Sequence, residues 1–240
     1  RVRQDGCGAL AAIATCRGAC AQAVADAGGE VEAVAAMRRY PSEKVVQANG
    51  CGALFEIATC GGAWAQAVVD AGGAAAMVAA LQAHPEEVRV QKAGCGTLAA
   101  IATCGGACAQ AVADAGGVAL VVALMRRYPS EMVVQTYSCS TLFQIATCGG
   151  AYAQAVVDAG GVAAVVAALQ AHPEVVRVRQ DGCGTLAAIA NGGAAYAQAV
   201  ADAGGGVEAV AAMRRYPSEK VVQGNGCSAL FEIARCGGAW

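Results

Sequence analysis

One cysteine sets the frame for the whole chain. It stands at Cys7, Cys51, Cys95, Cys139, Cys183 and Cys227, always 44 residues apart. Pro41, Pro85, Pro129, Pro173 and Pro217 keep the same interval and are all the prolines present. A fixed period of this length marks stacked supersecondary units, none of which can bury its apolar face alone. A second period lies on the first: "MRRYPSE" starts at Met37, Met125 and Met213, and "LQAHPE" at Leu81 and Leu169. The unit of duplication is therefore an 88-residue pair of unlike repeats. The 240 residues divide into units 1–44, 45–88, 89–132, 133–176, 177–220 and a partial 221–240. Neither end carries the polar capping repeat that such arrays need for solubility, so the chain reads as a segment of a longer array.

Within a unit, two Gly-Gly pairs and one proline predict three helices. In the second unit these are a short helix over about 63–71, a second over about 74–83, and the longest after Pro85. Glu86 and Glu87 are expected in the first turn of the long helix, where the macrodipole favours them. In odd units Ser42 and its equivalents are the expected N-caps. Val46, Cys51, Leu54, Ile57 and Ala58 fall on one side of a 3.6-residue helix, and Leu98 and Ile101 repeat the pattern. Gly50 and Gly52 flank the buried cysteine. Since each interior glycine costs a helix about 1 kcal/mol against alanine, both are expected where neighbouring helices come closest, and Gly52→Leu is expected to overpack.

Hydrophobic residues make up 57% of the chain and aromatics 5%, so alanine and valine must fill the interior. Mean hydropathy is positive, +0.46, yet clean apolar runs such as 116–125 reach only half of the roughly 20 residues a membrane span needs. No membrane span and no targeting segment are expected. A net charge of −2 lacks the footprint of a general nucleic-acid binder.

The "QAVVDAGG" close of the first helix, the "VAAL" second helix and the "VQxxGCGxLxxIA" third helix together resemble the armadillo-type repeat, over the whole chain. HEAT repeats share the period, but the three-piece division and the Gly-Gly join favour armadillo. The resemblance implies an all-α fold, a right-handed α-solenoid of about five and a half repeats, with third helices lining a concave face that binds a protein partner. It departs at one place. Armadillo proteins that grip extended peptides carry a tryptophan and an asparagine one turn apart on the third helix. Those positions here hold Gly52 and Glu56, Gly96 and Ala100, and Ser140 and Gln144, so only the role of an interaction scaffold carries over.

Several chemistries can be weighed against this. Zinc sites favour Cys-x(2–4)-Cys, whereas Cys-x8-Cys dominates here, as in Cys51 and Cys60, and the two histidines, His84 and His172, lie at turns. Equivalent cysteines of adjacent units are expected at the helix-packing distance of about 8–10 Å, too far for a disulfide. The thirteen cysteines therefore read as free small hydrophobes in a reducing compartment, the cytoplasm; the turn-spanning pairs Cys16–Cys20 and Cys104–Cys108 leave oxidation open. No phosphate-binding glycine motif occurs, and no cofactor is expected. Asp26, Asp70, Asp114, Asp158 and Asp202 are expected to accept hydrogen bonds from nearby backbone. Arg38, Arg126 and Arg214 are expected to complement the dipole at the end of the second helix, with an anionic partner as the alternative.

Two histidines in six units leave no room for a repeated Ser/His/Asp or Cys/His site, so the chain reads as no enzyme. The stripe opposite the cysteine core supplies the candidate partner-binding residues: Asn49, Glu56, Arg89, Tyr137, Ser140, Gln144, Arg177, Asp181, Asn225 and Glu232. Rival readings are a structural spacer in a large assembly such as the axoneme, a HEAT-like bilin lyase, and a designed repeat protein.

Overall fold

The computed structural model describes residues 19–235. These residues form helices and turns, and the chain separates into two compact units, Arg1–Leu120 and Val121–Trp240. The first unit holds α1 (Ala19–Asp26), α2 (Gly29–Arg39), α3 (Lys44–Ala58), α4 (Gly62–Asp70), α5 (Gly73–Ala83), α6 (Val88–Ala102) and α7 (Gly106–Asp114). The division falls inside α8 (Gly117–Arg127). The second unit continues with α9 (Met132–Ala146), α10 (Gly150–Asp158), α11 (Gly161–Ala171), α12 (Val176–Ala190), α13 (Ala194–Asp202), α14 (Gly205–Arg215) and α15 (Lys220–Arg235). The three-helix repeat expected from the glycines and prolines is thus present, its boundaries within a residue or two of those expected.

Each break has a local cause. Between first and second helices the leading glycine takes a left-handed conformation, φ 81° at Gly72 and 76° at Gly160, which L side chains avoid. The chain turns there by 70° between α4 and α5 and 72° between α10 and α11. The N-cap is a glutamate before α3, α6 and α9 (Glu43, Glu87 and Glu131) and Val175 before α12, in each case without a side-chain capping bond. Ser42 is therefore not the cap, and Glu86 and Glu87 precede the first turn instead of lying in it. Three of the turns are tied to the preceding repeat by the residue before the proline. His84 Nε2 lies 2.7 Å from the Pro41 carbonyl oxygen and His172 Nε2 2.7 Å from that of Pro129, while the Tyr216 hydroxyl donates to Pro173 at 3.3 Å.

The core is the stripe expected: Val46, Cys51, Leu54, Ile57 and Ala58 are buried in α3, as are Leu98 and Ile101 in α6. Third helices pack side by side, α3 on α6, α9 on α12, and α12 on α15. A glutamine closes the second helices α2, α5, α8 and α14, with Arg179 in its place at α11. Gln47 Nε2 donates to the carbonyls of Met37 and Tyr40 at 2.8 and 2.9 Å, and Gln91, Gln135 and Gln223 repeat the bond pair. The C-terminal carbonyls of a helix lack intrahelical donors, which is the need these glutamines meet.

The two glycines around the cysteine have different roles. A Cβ on Gly50 would lie 2.5 Å from Met37 Cγ, so this position marks the close approach of α3 to α2. Gly52 has nothing within 4 Å, which overturns its expected role in close packing. Gly52→Ala should then raise stability by about 0.5–1 kcal/mol through helix propensity alone. The chemical-denaturation midpoint of the two proteins measures this, and a lower midpoint for the variant would refute it. No single helix among the described residues is long and apolar enough to cross a membrane.

Candidate functional site

The third helices are cross-linked by polar side chains as well as by packing. Thr97 donates to the Cys51 carbonyl at 3.1 Å, Thr185 to that of Cys139 at 3.4 Å, and Asn225 Nδ2 to that of Gln180 at 2.8 Å. These bonds hold neighbouring third helices in register and so fix the spacing of whatever their outer faces present. In the first unit that face carries Asn49 and Glu56, both half-buried, and Arg89, exposed. None of the three makes a side-chain hydrogen bond or ion pair with another described residue.

In the second unit Tyr137 and Gln144 are half-buried and Arg177 is exposed. Ser140 and Asp181 are not open positions: they retain only 3% and 7% of their accessible surface. The Arg177 guanidinium donates from Nε to Asp181 Oδ2 at 2.6 Å and from Nη2 to Ser140 Oγ at 3.3 Å, so the three residues join α12 to α9. Ser140 and Asp181 are thereby corrected from partner contacts to a brace beneath the face. Asn225 spends its amide on the Gln180 carbonyl, and Glu232 is paired with Arg235 at 2.6 Å.

Burial raises the Asp181 carboxyl above the usual carboxylate value, and the bonds from Arg177 and Ser140 offset only part of that. A carboxyl raised in the folded state contributes stability that is complete below its unfolded value and lost as pH rises through the folded one. Wild type should therefore lose more stability than Asp181→Asn as pH rises from below the ordinary carboxylate value through the raised one. Urea midpoints across that range give the difference, and parallel curves would show the carboxyl to be unshifted.

Cys51, Cys60, Cys95, Cys104, Cys108, Cys139, Cys148, Cys183 and Cys227 are free. Cys16 and Cys20 lie outside the residues whose side chains are described. Burial pushes the Cys51 and Cys183 thiols up to about 12 and that of Cys139 up as well, which removes the thiolate needed for nucleophilic or metal chemistry. The outer row is only half-buried: Cys60, Cys104 and Cys148 donate to the carbonyl four residues back at 3.1–3.2 Å. Among the described residues no three His, Cys, Asp or Glu side chains come together as a metal-holding group.

The aspartate ladder finds partners other than those expected, and the arginine ladder lies where it was expected. Asp70, Asp158 and Asp202 accept from the side-chain amides of Gln66, Gln154 and Gln198 at 2.8, 2.6 and 2.7 Å, not from backbone. The arginines do sit in the last turn of α2, α8 and α14. Arg126 also reaches the following repeat, where Nη2 donates to the carbonyls of Ala159 and Gly160 at 3.2 and 3.3 Å and closes the end of α10. The glutamine caps and these guanidinium bridges are what sequence reasoning missed. Their signal was the 44-residue recurrence of a glutamine inside an otherwise apolar helix.

No family model matches the chain, and no curated protein matches it either. Solved structures do. An engineered protein known from its crystal structure is 30% identical, with a TM-score of 0.80 over 98% of this chain and 91% of its own. A designed armadillo repeat protein in complex with the peptide (KR)4 is 24% identical, with a TM-score of 0.72 over 96% and 92%. Computationally designed armadillo repeat proteins for modular peptide recognition are represented by a structure 23% identical, with a TM-score of 0.76 over 95% and 92%. On its three-helix repeat of 44 residues and on this likeness along nearly the whole sequence, the chain belongs to the armadillo-type repeat proteins.

Proposed function

We propose that the protein is a non-catalytic interaction scaffold that binds a protein partner through the outer face of its third helices. The observation that carries this reading is the state of Asn49, Glu56, Arg89 and Gln144. They stand on the same stripe of the third helices, reach solvent, and have no side-chain partner among the described residues. Around them the polar side chains are consumed by structure: glutamines on helix ends, histidines on proline carbonyls, aspartates on glutamines. The designed armadillo proteins of similar fold that recognise peptides support a protein partner, although the tryptophan and asparagine of the peptide clamp are replaced here. Both histidines are bonded to backbone, which supports the absence of catalysis, and the free thiols support a reducing, cytoplasmic setting.

The test is a selection of peptide binders on the intact chain under reducing conditions, followed by affinity measurements. Arg177 is left intact because it holds Asp181. Tyr137→Ala with Gln144→Ala should weaken a selected binder about tenfold, the cost of about 1–2 kcal/mol expected at an interface anchor, with helical circular dichroism unchanged. Unchanged affinity in that variant, with loss on Arg126→Ala and Arg127→Ala, would move the binding face to the arginine edge.

A further inference from the structure

In the second unit a half-open cleft of about 200 Å³ lies between α8 and α11, bounded by Met125, Arg126, Pro129, Gln135, Ala164, Ala167 and Ala168. Three alanines on one wall leave the space. Met125, Ala164 and Ala168 are buried behind it, while Ala167 and Arg126 stand at the open side. The polar groups differ in what they can still do. Gln135 spends its amide nitrogen on the carbonyls of Met125 and Tyr128. Arg126 spends only Nη2, on the carbonyls of Ala159 and Gly160, and no carboxylate among the described residues pairs with it. A guanidinium has five N–H donors in a fixed fork, so Nε and Nη1 remain for a ligand. Arg177, Arg179, Arg215 and Arg235, by contrast, each hold a carboxylate.

The sequence carries the same lining a second time. Met37, Arg38, Pro41, Gln47, Ala76, Ala79 and Ala80 repeat all seven residues 88 positions earlier, with the same buried and exposed members. Arg38 lies over Gly72 as Arg126 lies over Gly160. At the alternate junction of the second unit the corresponding residues include Leu169, Gln170, Arg179 and Glu208. There the cation at the rim is gone, and the Arg179–Glu208 pair occupies the places of a glutamine and an alanine.

We propose that the cleft is a binding site for a small apolar carboxylate, with its hydrocarbon part against the alanine wall and its carboxylate paired with Arg126. An apolar cavity of about 150 Å³ holds a benzene ring, so a ring or a short branched chain is the fitting size. Charge complementarity selects the anion, since Arg126 is the one charged residue in the lining, and its remaining N–H donors can make a charge-assisted hydrogen bond to a carboxylate.

Benzoate titrated into the intact chain by calorimetry is the test, with benzamide as the neutral isostere. Benzoate is expected to bind saturably and benzamide at least tenfold more weakly. Ala79→Leu with Ala167→Leu, at exposed positions, should fill the cleft and its sequence counterpart and abolish binding; Arg38→Gln with Arg126→Gln should weaken it tenfold or more. Should the arginine variant fail to fold by circular dichroism, the alanine variant alone decides. Absence of saturable binding, equal affinity for benzamide, or undiminished binding in the alanine variant would each overturn the assignment.

Discussion

Glu208→Ala is expected to destabilise the protein by about 3–5 kcal/mol, the cost of leaving a buried charge without its partner. The charge in question is Arg179, which keeps 3% of its accessible surface and donates from Nη1 to Glu208 Oε2 at 3.0 Å. Its Nε has no partner, so the pair is already short of hydrogen bonds. The repeat supplies the remedy. Gln91 and Gln135 occupy the equivalent place in other repeats and donate to two carbonyls of the preceding second helix. Arg179→Gln combined with Glu208→Ala should therefore recover most of the loss, with the new amide reaching the carbonyls of Leu169 and His172. Equilibrium urea unfolding of wild type, Glu208→Ala and the double variant measures it. A single-variant cost below about 1 kcal/mol, the value of an exposed pair, would show that Arg179 escapes to solvent.

That exchange was written in the sequence. Gln47 accompanies Ala76, Gln91 accompanies Leu120 and Gln135 accompanies Ala164, whereas Arg3 accompanies Glu32 and Arg179 accompanies Glu208. Aligning the chain with itself at 44 residues shows the two positions changing together, which is the mark of contact. The period, the glycine and proline breaks and the cysteine-centred stripe were legible because each is a local pattern with one physical cause. The Gln47 cap, the His84 bond to Pro41 and the Arg126 bridge were not legible as pairs, because they join residues 7, 10, 33 or 43 apart and periodicity alone does not say which repeat a side chain reaches.

The candidate face shows the same limit from the other side. A helical wheel correctly put Glu56, Arg89, Gln144 and Arg177 toward solvent, since that depends only on the angle from Cys51. It could not show that Ser140 and Asp181 sink into the contact between α9 and α12, because that depends on how closely the next helix lies. Gly184 makes the closeness visible: a Cβ there would lie 2.7 Å from the Phe143 ring and 2.9 Å from Asn225 Nδ2. Gly52, at the equivalent position, faces open space. The wheel treats the two alike, and only the packing separates them.

Gly161→Ala should be the most damaging of the small glycine substitutions, by about 2–3 kcal/mol, even though alanine is the better helix former. Gly161 opens α11 directly after the left-handed Gly160, where the chain swings by 72°. Its added Cβ would lie 2.5 Å from Val156 Cγ1 and 2.7 Å from the Val156 carbonyl oxygen. The first atom belongs to a fully buried side chain and the second to the backbone of α10, so relief requires the two helices to open. Gly73 and Gly205 meet Val68 and Val200 in nearly the same way, and the valine with the glycine pair therefore sets the bend in every described repeat where it occurs. Gly182→Ser is the control. Its Cβ would lie 2.8 Å from Leu169 Cδ2, the movable end of a side chain, and Ser138 already stands at the equivalent place in α9. Its cost should stay below about 1 kcal/mol, within the range of a tolerated core swap. Urea midpoints of the two variants, read beside the Gly52→Ala gain, rank the three sites by what surrounds them instead of by helix propensity. If Gly161→Ala is neutral while Gly182→Ser unfolds the chain, the bend is set elsewhere than at the valine carbonyl.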